Sequence, residues 1–193
     1  MIYLLGTRHK IQTELDNPGQ NLAAKFERFK TFLKDAIQSN KVAAIAEETS
    51  LEIESRKNKK SIARLIAESM QPPLFYAPCD ANSEERKALG IPTEEEIFCR
   101  IQHRFQHEGT EHTLEKYRDS ELLRYFPPRE KFWIERLRQI AVSPILFLCG
   151  PNHIQTFFCR LTENGIPCEI LSFDWWESDE KEFGALPPEE NPI

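Results

Sequence analysis

The 193-residue chain has few glycines and methionines, 7 and 2, and its five cysteines never fall as Cys-x-x-Cys. An odd count without paired spacing speaks against a disulfide framework and a zinc ribbon. Cysteines such as Cys149 and Cys168, set in apolar stretches, read as small hydrophobes in a reducing cytoplasm. The chain has no Gly-x-Gly-x-x-Gly, no P-loop, no His-Glu-x-x-His and no Gly-x-Ser-x-Gly. It therefore lacks the direct signals for dinucleotide binding, phosphate loops, zincin chemistry and a serine nucleophile. No apolar run approaches the roughly 20 residues that cross a bilayer. The apolar start, Met1 to Leu5, lacks the basic region and cleavage site of a signal peptide. A formal net charge of -6 makes a nucleic-acid backbone a poor general partner.

What is present is a regular alternation. Short apolar runs at 2–5, 42–46, 74–77, 144–149 and 168–173 read as buried strands. Between them lie stretches of helical periodicity. Leu22, Phe26, Phe29, Leu33 and Ile37 form one stripe, and 51–70 reads as one helix with Ile62, Leu65, Ile66 and Met70 inward. Pro92-Thr93 opens a helix with Glu94, Glu95 and Glu96 in its first turn, where the dipole favours them. Its expected inward stripe is Ile97, Phe98, Ile101 and Phe105. Further helices are expected over 111–124, over 129–141 after the break at Pro127-Pro128, and from Gly150 to about Leu161. This order predicts a single α/β domain over 1–181: a mainly parallel open sheet covered by helices on both faces. The stretch 83–141 reads as a helical insertion before the penultimate strand, and 182–193 as an acidic, proline-rich tail.

In such a sheet ligands bind beyond the carboxyl ends of the strands. His9, Glu47 and Glu48, Asp80, His153 and Asp174 all fall there. Imidazoles and carboxylates are the residue types for a divalent metal and for acid–base work. Two of the histidines close matching turns, Gly6-Thr7-Arg8-His9 and Gly150-Pro151-Asn152-His153. The glycines are expected to allow a sharp bend or an unusual backbone conformation. The second turn also opens a helix, whose N–H groups suit an anion or oxyanion. Glu47 and Glu48 are adjacent, so in a strand they point to opposite faces and one of them reaches the site best.

Other features read more plainly. His103 and His107, at i, i+4 on a helix, and His112 beyond them are expected to face solvent. Arg56-Lys57-Asn58-Lys59-Lys60 reads as a solvated face, or as an attractor of anionic substrate near a site mouth. Trp175-Trp176 reads as packing for the last strand.

The first turn resembles the Gly-Thr-x-His opening of the TraB, PrgY and TIKI proteins, grouped more broadly with erythromycin esterases and ChaN-like proteins. In that family a Glu ends the second strand and a second Gly-x-x-His follows an apolar strand near the C-terminus. An Arg near the start of the preceding helix matches Arg129, four residues before Trp133. This chain departs at Arg8, a cation inside the first motif, and at Pro128, where the family carries an acidic residue. The resemblance implies a metal-dependent hydrolase of protease or esterase type acting on a peptide or small molecule. His9, Glu47 or Glu48, His153 and Asp80 would hold Mn, Co or Zn, and Arg129 would bind a substrate carboxylate or oxyanion. It also implies alternatives: a non-catalytic haem- or metal-binding protein of ChaN-like fold, or a protein-interaction module.

Overall fold

The structure, a computed structural model, describes residues 1–12, 20–107 and 114–183. In chain order its elements are β1 (Ile2–Gly6), α1 (His9–Gln12), α2 (Gln20–Ser39), β2 (Ala44–Glu47), α3 (Leu51–Lys57), α4 (Ile62–Ser69) and β3 (Phe75–Pro78). There follow α5 (Ser83–Ala88), α6 (Glu94–His107), α7 (Leu114–Arg138), β4 (Ile145–Cys149), α8 (Pro151–Glu163), β5 (Cys168–Ser172) and α9 (Trp175–Phe183). The five strands make one sheet in the order β3-β2-β4-β1-β5. Every pairing is parallel, as the strand–helix alternation predicts.

β1 and β4 are the most apolar runs and take central places; every residue of β4 is buried. Side chains alternate along a strand, so neighbours enter different cores. Leu5, Ile45, Leu146 and Leu148 pack with Phe26, Phe29 and Leu33 of α2 and with Ile62 and Ile66 of α4. Leu4, Ala44, Ala46, Phe147 and Cys149 pack instead with Trp133 and Leu137 of α7 and Ile154, Phe157 and Leu161 of α8. Each such side chain contributes roughly 1.5–3 kcal/mol of transfer free energy. The register also levels the strand ends: Leu148 lies opposite Leu5 on β1 and Glu47 on β2.

Local signals explain where the helices differ from expectation. The stretch 51–70 is two helices. Asn58 adopts the left-handed conformation (φ 48°) and closes α3, and the Ser61 side chain caps α4, two stop-and-start signals that periodicity passes over. α7 runs unbroken through Pro127 and Pro128. The carbonyls those prolines free, four residues back, belong to the exposed Leu123 and Arg124. In α6 the Thr93 hydroxyl accepts from Glu96 N–H and the Glu96 carboxylate from Thr93 N–H. Ile101 is buried there, whereas Phe98 is 56% exposed rather than inward.

Trp175 and Trp176 open α9 and pack into the α2 core. The fully buried Lys25 lies 3.6 Å from the Trp176 ring centroid and pairs with Asp179 and Glu180. α9 runs to Phe183, two residues into the expected tail; 184–193 and His112 lie outside the described residues. Among the described residues no helix is long and apolar enough to cross a membrane.

Candidate functional site

Glu48 continues the ladder beyond β2, its N–H donating to Leu148 O at 2.8 Å. The alternation therefore holds through both glutamates, and they meet different partners. Glu48 Oε2 accepts the Gly150 N–H at 2.6 Å, and its Oε1 accepts Arg129 Nη2 at 2.7 Å. Arg129 also donates to Asp80, from Nη2 at 2.9 Å and from Nε at 3.3 Å. Arg86 and the Trp133 indole N–H complete the Asp80 carboxylate. One guanidinium thus joins the ends of β2 and β3 to α7.

His153, 4% exposed, stands beside this group. Its Nδ1 lies 3.0 Å from Glu130 Oε1, and Glu130 also accepts from Thr156 and Arg160. A carboxylate at Nδ1 favours a proton there, and Nε2 faces Arg129 Nη1 at 3.5 Å and Glu48 Oε1 at 3.8 Å. The ring is held between Phe126 and Trp133, with centroids at 3.7 and 4.7 Å. Where the family's acidic residue would precede Arg129, this chain has Pro128; Glu130, on the other side of Arg129, bonds His153.

Burial pushes the Glu48 carboxyl up, but Arg129, then His153 and His9, outweigh it and hold it below its ordinary value. Asp80 is likewise held down, by Arg129 and Arg86 against its burial. Arg129 is raised in turn: burial opposes its charge, and Glu48 and Asp80 overcome that. Both turn histidines act on Glu48.

Glu47 has no such cation. It is fully buried; its Oε2 accepts Ser61 Oγ at 2.5 Å and Tyr76 OH at 2.8 Å. Burial raises its carboxyl to about 7, against the Ser61 and Tyr76 hydrogen bonds and the charge of His9. His9 itself is exposed, with Nδ1 2.8 Å from Gln12 Oε1. Among the described residues three buried side-chain atoms make no hydrogen bond: Glu47 Oε1, Thr7 Oγ1 and Gln12 Nε2. All three belong to the ends of β1 and β2 or to α1. A buried polar atom left unpaired costs about 1–3 kcal/mol, so this corner is polar beyond what the fold uses. Whichever way round the Gln12 amide is set, one of its two polar atoms stays unpaired.

Neither turn glycine has positive φ, so backbone freedom requires neither, and a close approach requires only Gly6. A Cβ on Gly6 would stand 1.8 Å from Phe173 O, so β1 ends in a close approach to the segment after β5. Gly150 has φ -59°, and a Cβ there would lie 3.4 Å from Glu48 Oε2. Its N–H, at the start of α8, is taken by Glu48 and is not open to a ligand. Asp174, at the end of β5, caps α9 and pairs with Arg8 at 3.2 Å. Arg8, the departure inside the first motif, is thereby directed to α9. Cys149 and Cys79 are buried and their thiols are raised, Cys79 to about 12, chiefly by burial; neither suits a nucleophile.

Sequence reasoning placed Glu48, Asp80 and His153 at one edge and the resemblance added Arg129, and these four meet, whereas Glu47, His9 and Asp174, expected at the same edge, take other partners. It missed Glu130, Thr156, Arg160, Ser61, Tyr76 and Gln12. Only Ser61 carried a readable sign, as a helix cap.

The donor set can be tried against a divalent metal. Among the described residues no group of three or more His, Cys, Asp or Glu side chains is placed to hold one. Glu48 and Asp80 spend their oxygens on Arg129, and His153 Nδ1 is spent on Glu130. The residues as arranged do not form a cation cage. Comparison with family models, curated proteins and solved structures returns no match, so the resemblance rests on its motifs.

Proposed function

We propose that the chain is a hydrolase of carbonyl substrates, esters or peptides, whose chemistry centres on His9 and Glu47. The carrying observation is the contrast between them: an exposed imidazole oriented by Gln12, and a buried carboxyl with one oxygen unpaired and a titration near neutrality. With Nδ1 donating to Gln12, His9 presents Nε2 to solvent and takes the proton of an attacking water. Glu47, protonated in part at neutral pH and enclosed in the free protein, donates through Oε1 to the carbonyl oxygen or the leaving group once the substrate enters the polar corner beside Thr7 and Gln12. Glu48, Arg129, Asp80 and His153 act as positioning residues: their polar atoms are spent on one another, and they fix the strand ends that carry the reacting pair.

The test is hydrolysis of a panel of nitrophenyl esters and fluorogenic peptides by the full chain. His9→Ala and Glu47→Gln are expected to abolish turnover while leaving the protein folded. Activity retained in both variants overturns the reading. Elemental analysis of untagged protein addresses the divalent metal that the resemblance implies. Stoichiometric Mn, Co or Zn lost in His9→Ala and His153→Ala would replace acid–base chemistry with metal chemistry. A Soret band on haem titration without turnover would favour the binding-protein alternative.

A further inference from the structure

A groove of about 370 Å³ opens between α6 and α7, lined by Cys99, Arg100, His103 and Arg104 of α6 and Arg124 of α7. None of these residues belongs to the strand-end site. Arg100, His103 and Arg104 fall at i, i+3 and i+4 and so share one helix face; Arg124 comes from the facing helix. His103 and Arg104 are engaged elsewhere, Arg104 with Ser120, which leaves Arg100 and Arg124 as the cations that face the groove.

Arg100 Nη1 donates to Tyr125 OH, and the Arg100 and Arg124 guanidiniums lie 6.0 and 5.9 Å from the Tyr125 ring centroid. Both are exposed, and neither pairs with a carboxylate among the described residues. Tyr125, 8% exposed, holds the two cations on one ring while leaving most of their donors unspent. Cations gathered in one concavity repel one another unless an anion joins them. The charge stands out further in a chain whose formal net charge is -6. Guanidinium forks match the oxygens of phosphate in pairs. The volume suits a small ligand.

We propose that this groove is a binding site for a small phosphate-bearing ligand, a phosphomonoester or diphosphate, clamped by Arg100 and Arg124. The groove supplies its own reporter. Cys99 is an exposed thiol on its wall, and Cys159, exposed on α8, is a control outside it. The full chain is labelled with a thiol reagent, and the rate at each cysteine is read by peptide mass. Inorganic pyrophosphate, at up to about 10 mM, a range that fills even a weak site, is expected to slow labelling of Cys99 several-fold. Cys159 is expected to be unaffected.

In the Arg100→Gln/Arg124→Gln double variant, pyrophosphate should no longer alter the Cys99 rate, with the circular dichroism spectrum unchanged. Arg124→Gln alone, which leaves the Tyr125 hydrogen bond intact, should weaken the protection and guards against a folding defect in the double variant. No protection of Cys99 in the parent chain, or protection that survives the double variant, overturns the proposal. Equal protection by citrate overturns the phosphate assignment. The readout needs no turnover, so it stands apart from the hydrolase reading.

Discussion

Glu47 and Glu48 are adjacent in the chain and separated by the sheet. Glu48 is ion-paired to Arg129 and caps the Gly150 N–H, whereas Glu47 rests on two hydroxyls, from Ser61 and Tyr76. The first is held below its ordinary titration and the second is raised to about 7. Neighbouring carboxyls with opposite shifts are suited to different tasks, one to fix charge and one to move a proton.

Glu47 is expected to trade stability for function. Below about pH 4.5 its carboxyl is neutral folded and unfolded alike. Between 4.5 and 7 the unfolded chain releases the proton first, so stability falls as pH rises through this window and stays reduced above it. A raise of about 2.5 pH units corresponds to roughly 3 kcal/mol. Urea unfolding of Glu47→Gln should therefore lack most of the parent's decline between pH 4.5 and 8. An unchanged pH dependence would remove the buried acid from the account.

Arg129→Met leaves Glu48 and Asp80 buried without their shared cation, a change expected to cost about 3–5 kcal/mol at pH 7. The stranded carboxyls then titrate higher, so protonation relieves the defect. The gap to the parent should narrow as pH falls from 7 to 5, measured by chemical unfolding at each pH. A gap independent of pH contradicts the ion-pair assignment.

The two turn glycines should respond differently to alanine. In Gly6→Ala the new methyl meets backbone at 1.8 Å and forces β1 from the Phe173 segment, at a cost of about 1–3 kcal/mol or more. Gly150→Ala meets ordinary contact distance at an ordinary φ and should cost less than about 1 kcal/mol. Equal losses in denaturation midpoint would contradict the close-approach explanation.

His9→Ala removes an exposed ring and should change stability by no more than about 0.5 kcal/mol while abolishing hydrolysis. His153→Ala opens a cavity between Phe126 and Trp133 and strips a partner from Glu130; about 2–4 kcal/mol is expected. Parallel kcat and melting measurements separate the roles. Full stability with lost kcat in His153→Ala would move that histidine into the reacting pair.

The positions of the strands were legible in the sequence because buried parallel strands are nearly continuous apolar runs, as in Ile145–Cys149. The strand ends then collected Glu48, Asp80 and His153 by topology alone, whereas Arg129, on α7, came only from the resemblance. Partners such as Glu130 and Tyr76 were hidden, because a hydrogen bond across elements leaves no periodic trace in the chain. Helix breaks hung on single residues: Asn58 ended a helix that periodicity carried through, and Pro127-Pro128 failed to end one. Whether Glu47 or Glu48 faced Arg129 needed the register that the Glu48–Leu148 hydrogen bond supplies.

Among the described residues β1 pairs only with β4 and β5, and Gly6 closes against Phe173. The first turn is therefore completed by residues more than 140 positions further along the chain. During synthesis, Thr7, His9 and Gln12 emerge early and wait for about 140 further residues before their strand has a partner. Contacts of such long sequence separation form late and slowly. A ribosome-bound chain stopped before β4 would carry an apolar N-terminal strand with nothing to pair with, an aggregation-prone species that a chaperone would recognise.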